Sequence, residues 1–98
     1  MNKKLNVLLI DDHEMFCKGT KKLLEQLRWV DTCEDACSLS EGLQKLARLQ
    51  PDILLLDLYI GKDISIYSVP RIKELAPNTK IIILTISEEP EDLRLAAK

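Results

Sequence analysis

Four side chains with reactive oxygen atoms directly follow apolar runs of the sequence. The runs 7–10, 53–56 and 81–84 lead into the four residues Asp11, Asp12, Asp57 and Thr85. Carboxylates that lie a few ångström apart raise one another's pKa unless a cation lies between them. Oxygen donors with room for bound water suit Mg²⁺. We therefore predict a magnesium site, provided that the fold brings these residues together.

Such a site could accept a phosphoryl group. A carboxylate beside a divalent cation can attack an electrophilic phosphorus and form an acyl phosphate. Asp57 is the carboxylate that ends the central apolar run, and the hydroxyl of Thr85 could donate to a phosphoryl oxygen. A simpler interpretation is also open, in which Asp11 and Asp12 only cap the helix that follows them.

The elements that must position these residues are alternating strands and helices. Short apolar runs between helical patterns predict βα units around a buried parallel sheet. The carboxyl ends of parallel strands share one edge, where open α/β sheets bind ligands. The predicted strands are 5–10, 29–34, 53–57 and 80–85. The first predicted helix is 14–27. The second begins at a capping box that starts with Ser38, the third begins near Ser68, and the fourth begins near Ser87.

Apolar residues at helical and alternating spacing predict the core. The second helix is expected to stop at Pro51, and Pro70 is expected in the first turn of the third. The residues expected to be buried are Phe16, Leu23, Leu24 and Leu27 of the first helix, Val30 and Cys33 of the second strand, Leu39, Leu43, Leu46 and Ala47 of the second helix, and Val69, Ile72 and Leu75 of the third.

The composition excludes several classes of protein. Ninety-eight residues, 46% of them hydrophobic and 31% charged, suffice for one domain with a core. A net charge of −2 argues against a nucleic-acid surface within these residues. No apolar run approaches the roughly 20 residues that span a bilayer, so we expect a cytoplasmic protein without membrane contact. The three cysteines are expected to be reduced thiols.

The motifs resemble the receiver domain of bacterial response regulators. They are Val7-Leu8-Leu9-Ile10-Asp11-Asp12-His13, Leu54-Leu55-Leu56-Asp57-Leu58 and Ile82-Ile83-Leu84-Thr85. The central Asp57 lies 45 residues after Asp12 and 28 residues before Thr85, which is the receiver spacing. The Asp-Asp-His sequence particularly resembles receivers that precede a LuxR/NarL-type helix-turn-helix domain.

The resemblance covers all 98 residues and implies the fold. The expected architecture is an α/β, flavodoxin-like, doubly wound parallel sheet with strand order 2-1-3-4. Residues 1–98 would form one receiver domain that is incomplete at its carboxyl end, because the fifth strand and the last helix of receivers have no counterpart in them. An apolar fourth strand without a neighbour would be a pairing hazard, so we expect further chain or a partner to cover it.

The resemblance also implies the roles of the site residues. Asp57 would be the phosphoacceptor for a sensor histidine kinase. Asp12 would bind Mg²⁺ directly, Asp11 mostly through water, and Asp57 and the backbone carbonyl of Tyr59 would complete the protein ligands. The side chain of Tyr59 would also influence how fast the acyl phosphate is lost.

Signalling would depend on residues at the end of the fourth strand and beyond it. The resemblance implies that Thr85 senses the phosphoryl group and that Ser87 tunes its loss. The expected partners are the kinase, a second copy of the chain bound through the C-terminal helix or the exposed side of the fourth strand, and DNA through an output domain outside these residues. The domain would assist its own phosphorylation and dephosphorylation without being a turnover enzyme.

The sequence departs from the receiver pattern in three ways. Receivers usually carry proline where this chain has Gly61, and Asp-Gly or Asn-Gly where it reads Asp63-Ile64-Ser65. We therefore expect an atypical loop beside the site. Receivers also carry a lysine on their fifth strand, and Lys98, only 13 residues after Thr85, is not that residue. We expect these 98 residues to bind Mg²⁺ but to be impaired in phosphorylation and switching.

Three other functions share part of this pattern. A phosphatase of the haloacid dehalogenase type would need a second aspartate where this chain has Tyr59. A flavodoxin-like nucleotide- or flavin-binding module would need a phosphate-binding loop after the first strand, where two acids stand instead. A degenerate receiver that acts only as a protein-interaction module remains the alternative to phosphoacceptance.

Overall fold

The computed structural model describes residues 4–84 of the 98-residue chain. The predicted fourth helix, Thr85 and Ser87 lie outside the described residues. Within them, three α-helices accompany six strands, of which two form a small hairpin. The strands are β1 (Leu5–Ile10), β2 (Val30–Ala36), β3 (Ile53–Asp57), β4 (Tyr59–Ile60), β5 (Asp63–Ile64) and β6 (Lys80–Leu84), and the helices are α1 (Glu14–Glu25), α2 (Leu39–Leu49) and α3 (Val69–Leu75).

Four of these strands form one parallel sheet in the order β2-β1-β3-β6. This order confirms the predicted flavodoxin-like topology, with β6 as the fourth strand of the sheet. Buried aliphatic residues of β1 and β3 pair directly, Leu8 with Leu54 and Ile10 with Leu56. All four residues are fully buried, as expected for strands that are covered on both faces.

One face of the sheet carries the larger core. Helices α2 and α3 pack there, and Leu46 and Ile72 are their fully buried residues beside Leu8 and Leu54. The predicted stripe of α2 is confirmed except at Ala47, which is exposed. Leu49 packs against this core, one turn after Leu46 on the same side of the helix.

The opposite face is covered by α1, and its orientation differs from the prediction. Leu23 and Leu27 are 67% and 40% exposed, whereas Cys17 is fully buried and Leu24 packs against the smaller core. Cys17 and Leu24 are seven residues apart, which is about two turns, so both face the sheet. Leu23 points about a quarter-turn away from them, and Leu27 follows the end of the helix at Glu25.

The ends of α2 are fixed by side chains. The hydroxyl of Ser38 accepts a hydrogen bond from the Glu41 amide at 3.1 Å, which confirms the predicted N-cap. At the other end Gln50 adopts the left-handed conformation with φ 45°, just before Pro51. Its side-chain amide donates to the Leu75 carbonyl oxygen of α3 at 2.8 Å. The two helices are thus joined directly.

The segment after β3 is more regular than predicted. We expected an irregular stretch from residue 58 to residue 67, but Tyr59–Ile60 and Asp63–Ile64 form an antiparallel hairpin, followed by a 3₁₀ turn at Ser65–Ser68. Gly61 makes the reversal possible because it adopts a φ of +60°. Helix α3 then begins at Val69 with a proline in its first turn, as predicted.

All three cysteines are free thiols, as predicted. Burial raises the pKa of Cys17 to about 12 and that of Cys33 to about 11, so neither is a ready nucleophile. Over residues 4–84, none of the helices has the length and apolar character that a membrane crossing requires.

Candidate functional site

The carboxylates of Asp11, Asp12 and Asp57 converge at the carboxyl edge of the sheet. Because Ile10 pairs with Leu56, the residues that follow these two strands lie side by side. One donor atom from each of the three carboxylates and one from His13 lie within 4.8 Å of one another. Asp11 and Asp57 are buried, at 1% and 6% exposed, and Asp12 is exposed. The site therefore has a buried side and an open side.

His13 is the site residue to which the sequence analysis gave no role. Its Nδ1 lies 3.0 Å from Asp11 Oδ1, 3.2 Å from Asp12 Oδ1 and 3.8 Å from Asp57 Oδ2. Its backbone amide donates to Asp11 Oδ1 at 2.8 Å. Since the residue follows the acidic pair directly, its position in the sequence was the available signal.

The charges of the cluster perturb two pKa values. The pKa of Asp57 rises from 3.8 to about 6, chiefly because the carboxyl group is buried and secondly because Asp11 repels its charge, while the Tyr59 amide and His13 act in the opposite direction. The pKa of His13 is raised, first by its hydrogen bond to Asp11 and then by the charges of Asp12 and Asp11. A cation between the carboxylates would relieve the repulsion.

The β4–β5 hairpin and the 3₁₀ turn after it donate hydrogen bonds to Asp12 and Asp57, respectively. The Gly61 amide donates to Asp12 Oδ2 at 2.7 Å. The Ser65 hydroxyl, which is fully buried, donates to the Asp57 carbonyl oxygen at 2.5 Å. The Leu58 amide donates to the Leu84 carbonyl oxygen at 2.8 Å and continues the β3–β6 ladder past the site. The loop that departs from the receiver pattern is thus part of the site's scaffold.

The remaining predicted site residues are described only in part. Tyr59 begins β4, is half-buried, and its backbone amide hydrogen-bonds to the Asp57 carboxylate. Its carbonyl as a metal ligand stays a prediction. Thr85 and Ser87 lie outside residues 4–84. An open cleft of about 240 Å³ lies between Asp12, the start of α2 and the hairpin, and gives solvent access to the exposed side of the site.

The donor set fits a hard divalent cation. Three carboxylates converge from the ends of two strands, and such ions bind to carboxylate, carbonyl and water oxygens. Helix capping alone does not explain the cluster, because Asp57 comes from a different strand than Asp11 and Asp12. The side chain of His13, the N-cap residue of α1, makes no capping hydrogen bond. The simpler interpretation therefore accounts for fewer of the contacts.

Comparison with known proteins gives the family. Residues 7–98 match the response regulator receiver domain family. The nitrate/nitrite response regulator protein NarL of Escherichia coli is 28% identical over 92 residues, which are 94% of this chain and 43% of that protein. The chain thus spans less than half the length of this curated relative.

Two solved structures are similar along nearly the whole chain. The response regulator RcsB in complex with DNA has a TM-score of 0.81 and 28% identity, with 97% of this chain and 48% of that chain covered. A response regulator from Burkholderia pseudomallei with a phosphorylated aspartic acid, a calcium ion and citrate has a TM-score of 0.78 and 25% identity, with 94% of this chain and 53% of that chain covered. Together with the parallel sheet and the acidic cluster, these matches lead to one conclusion: the chain belongs to the response regulator receiver domain family, and its relatives are of the NarL/LuxR type.

Proposed function

We propose that this domain accepts a phosphoryl group on Asp57 from a sensor histidine kinase and thereby controls an output domain. The observation that carries the proposal is the convergence of Asp11, Asp12 and Asp57 within one 4.8 Å cluster at the carboxyl edge of the sheet. The Burkholderia pseudomallei relative, which contains a phosphorylated aspartic acid and a calcium ion, supports the same chemistry.

Asp57 has the properties of a nucleophile in such a reaction. One carboxylate oxygen attacks the phosphorus, the bond from phosphorus to the donor group breaks, and an acyl phosphate forms. With a pKa of about 6, Asp57 is mostly ionised at pH 7 and above, as a nucleophile must be. Two hydrogen bonds hold Asp57 in place. The Tyr59 amide donates to the Asp57 carboxylate, and the Ser65 hydroxyl donates to the Asp57 backbone carbonyl oxygen.

The same residues would hold Mg²⁺. In this proposal Asp12 and Asp57 bind the ion directly, Asp11 binds mostly through water, and the Tyr59 carbonyl supplies a further oxygen. Receiver domains bind Mg²⁺ at their acidic pocket, and the donor set of this cluster fits it. The ion supplies charge neutralisation for the incoming phosphoryl oxygens. Thr85 would then bind one of those oxygens, and Tyr59 and Ser87 would set how long the acyl phosphate lasts.

The proposed partners follow from the family. Receiver domains are signalling modules that interact with histidine kinases, and we propose the same for this one, without turnover catalysis. The similarity to RcsB, which was solved in complex with DNA, supports an output domain that binds DNA and lies outside these 98 residues. Phosphorylation would shift an existing equilibrium between inactive and active surfaces. We propose homodimerisation at the C-terminal helix or the β6 side as the readout.

Phosphorylation by a small donor tests the proposal. The purified chain is incubated with acetyl phosphate and Mg²⁺, and the intact mass is followed with time. We expect a mass gain of one phosphoryl group that depends on Mg²⁺ and is absent from Asp57→Asn.

The matched control is Asp31→Asn, which removes an exposed carboxylate of β2 outside the cluster. It should be labelled like the unchanged chain. Equal labelling of Asp57→Asn would contradict the assignment of the phosphoacceptor. If neither the chain nor the control is labelled while both bind Mg²⁺, the protein-interaction module becomes the better description.

A further inference from the structure

We propose that His13 is a nitrogen ligand of the metal site, and that its imidazole shifts the site's preference from Mg²⁺ toward ions that accept nitrogen, such as Mn²⁺. The inference rests on the proposed function, because it concerns the same cation. It adds a ligand outside the set of three carboxylates and a backbone carbonyl assigned above.

The distances around His13 are those of neighbouring ligands. Two donors that bind one ion at right angles lie about 3 Å apart, since metal–ligand distances are about 2.0–2.2 Å. Nδ1 of His13 lies 3.0 Å from Asp11 Oδ1 and 3.2 Å from Asp12 Oδ1. It lies 3.8 Å from Asp57 Oδ2, between the separations expected for adjacent and opposite ligands. An ion could therefore bind Nδ1 of His13 together with Asp12 and Asp57 after small side-chain movements, with Asp11 reached mostly through water.

The backbone holds the imidazole beside the carboxylates. The His13 amide donates to Asp11 Oδ1 at 2.8 Å, which fixes the loop between β1 and α1. The side chain is 72% exposed and makes no capping contact with α1, so it can turn toward an ion without disturbing the core. Coordination uses the lone pair of the neutral imidazole at Nδ1, so the hydrogen bond between Nδ1 and Asp11 is given up when the ion binds.

A nitrogen ligand changes which ions bind well. Mg²⁺ prefers oxygen ligands, and carboxylate oxygens suit Mg²⁺ and Mn²⁺ alike. Mn²⁺ is the weakest binder among the first-row transition-metal ions, but it belongs to that series, several members of which bind imidazole well, whereas Mg²⁺ does not. An imidazole donor therefore strengthens Mn²⁺ binding more than Mg²⁺ binding. Without His13 the site would be a plain oxygen site.

Pulsed electron paramagnetic resonance of bound Mn²⁺ tests ligation directly. The chain contains one histidine, so an untagged preparation has a single possible source of an imidazole signal. We expect the nitrogen modulation of a bound imidazole in the unchanged chain and its loss in His13→Ala. Calorimetric titrations with Mn²⁺ and Mg²⁺ should show that His13→Ala lowers the Mn²⁺:Mg²⁺ affinity ratio about tenfold, at the lower end of the effects seen when metal-site residues are removed.

Glu14→Gln is the control, because Glu14 is an exposed acid next to His13 and pairs with Lys18 at 2.9 Å. It should weaken both ions alike and keep the affinity ratio. Mn²⁺ binding without an imidazole signal and with an unchanged ratio in His13→Ala would overturn the ligand assignment while leaving the carboxylate site intact. Failure of the unchanged chain to bind either ion would instead overturn the metal site of the proposed function and, with it, this inference.

Discussion

The Gly61 amide donates a 2.7 Å hydrogen bond to Asp12 Oδ2, which ties the hairpin after β3 to the acidic pair after β1. The donor residue has a φ of +60°. The receivers that this chain resembles usually carry proline here, and proline has neither an amide hydrogen nor access to this φ. The contact is therefore a feature of this sequence rather than of the usual receiver loop.

Gly61→Pro should weaken Mg²⁺ binding. The substitution removes the donor to Asp12 and is incompatible with φ +60°, so the hairpin must change its backbone. Calorimetric titration with Mg²⁺ is the measurement. Gly61→Ala keeps the amide hydrogen and meets no atom within 4 Å, so it should cost about 1 kcal/mol of stability through backbone strain alone and leave the affinity nearly unchanged. Equal Mg²⁺ affinities in all three proteins would mean that this hydrogen bond does not position Asp12.

Two helix glycines should respond oppositely to alanine. A Cβ at Gly42 would collide with the fully buried side chain of Ile10, whose Cγ1 would lie 2.7 Å away. Gly42→Ala should therefore lower the free energy of unfolding by about 1–3 kcal/mol. A Cβ at Gly19 meets nothing within 4 Å, and Gly19→Ala should raise it by about 0.5–1 kcal/mol. Urea denaturation measures both, and destabilisation by Gly19→Ala would contradict the open space found around this position.

Ser65→Ala should destabilise the fold from within the site. It removes the buried donor to the Asp57 carbonyl oxygen, and an unpaired buried polar group costs about 1–3 kcal/mol. Ser40→Ala, at an exposed position of α2, should change stability by less than about 0.5 kcal/mol. Thermal denaturation of the two variants is the comparison, and similar melting temperatures would indicate that water replaces the lost donor.

In the metal-free chain, the contribution of the acidic site to stability should fall as the pH rises from 4 to 7. Folding raises the pKa of Asp57 from 3.8 to about 6, so its contribution favours the folded state below pH 4 and is lost as the pH passes 6. The raised pKa of His13 acts in the same direction, because its contribution is present below its unfolded value of 6.5 and is lost above its folded value. Melting curves at several pH values measure the trend.

Asp57→Asn removes the buried charge and should flatten this pH dependence. At pH 7.5 the variant should be roughly 1 kcal/mol more stable than the metal-free parent, since one pKa unit corresponds to about 1.4 kcal/mol and solvent screens part of the shift. Mg²⁺ should raise the melting temperature of the parent more at pH 7.5 than at pH 5, and that of Asp57→Asn less at either pH. A stabilisation by Mg²⁺ that is equal in the two proteins would place the ion elsewhere.

The fold and the carboxylates were predictable because both depend on long, unambiguous patterns. Apolar runs such as 7–10 and 53–56, separated by helical patterns, are typical of strands buried on both faces of a parallel sheet, and strands of one direction bring their last residues to one edge. Asp11 and Asp57 follow from that argument without knowledge of the loops. The strand order follows from the family resemblance, because spacing alone does not determine it.

The predictions failed where short-range geometry decides. The face of α1 was misjudged because four apolar residues of the sequence suggest one stripe, whereas Cys17, a small residue, is the buried one. The hairpin was missed because it depends on a positive φ at Gly61 and on pairs of only two residues per strand. His13 was left without a role because no sequence pattern shows that its ring turns back toward the acids.

The link from Gln50 to the Leu75 carbonyl has a consequence for the order in which the domain opens. Helices α2 and α3 are joined by this 2.8 Å hydrogen bond and share one core, so we expect them to unfold as one cooperative unit. Their backbone amides should therefore exchange with deuterium only when the two helices unfold together. Among the described contacts, helix α1 has no hydrogen bond to another helix. Its side-chain link to β2 is the ion pair of Lys21 with Asp35 at 3.8 Å, and Leu23 lies in solvent. Its amides should exchange first, so the helix that carries His13 at its start can loosen while the opposite layer stays protected.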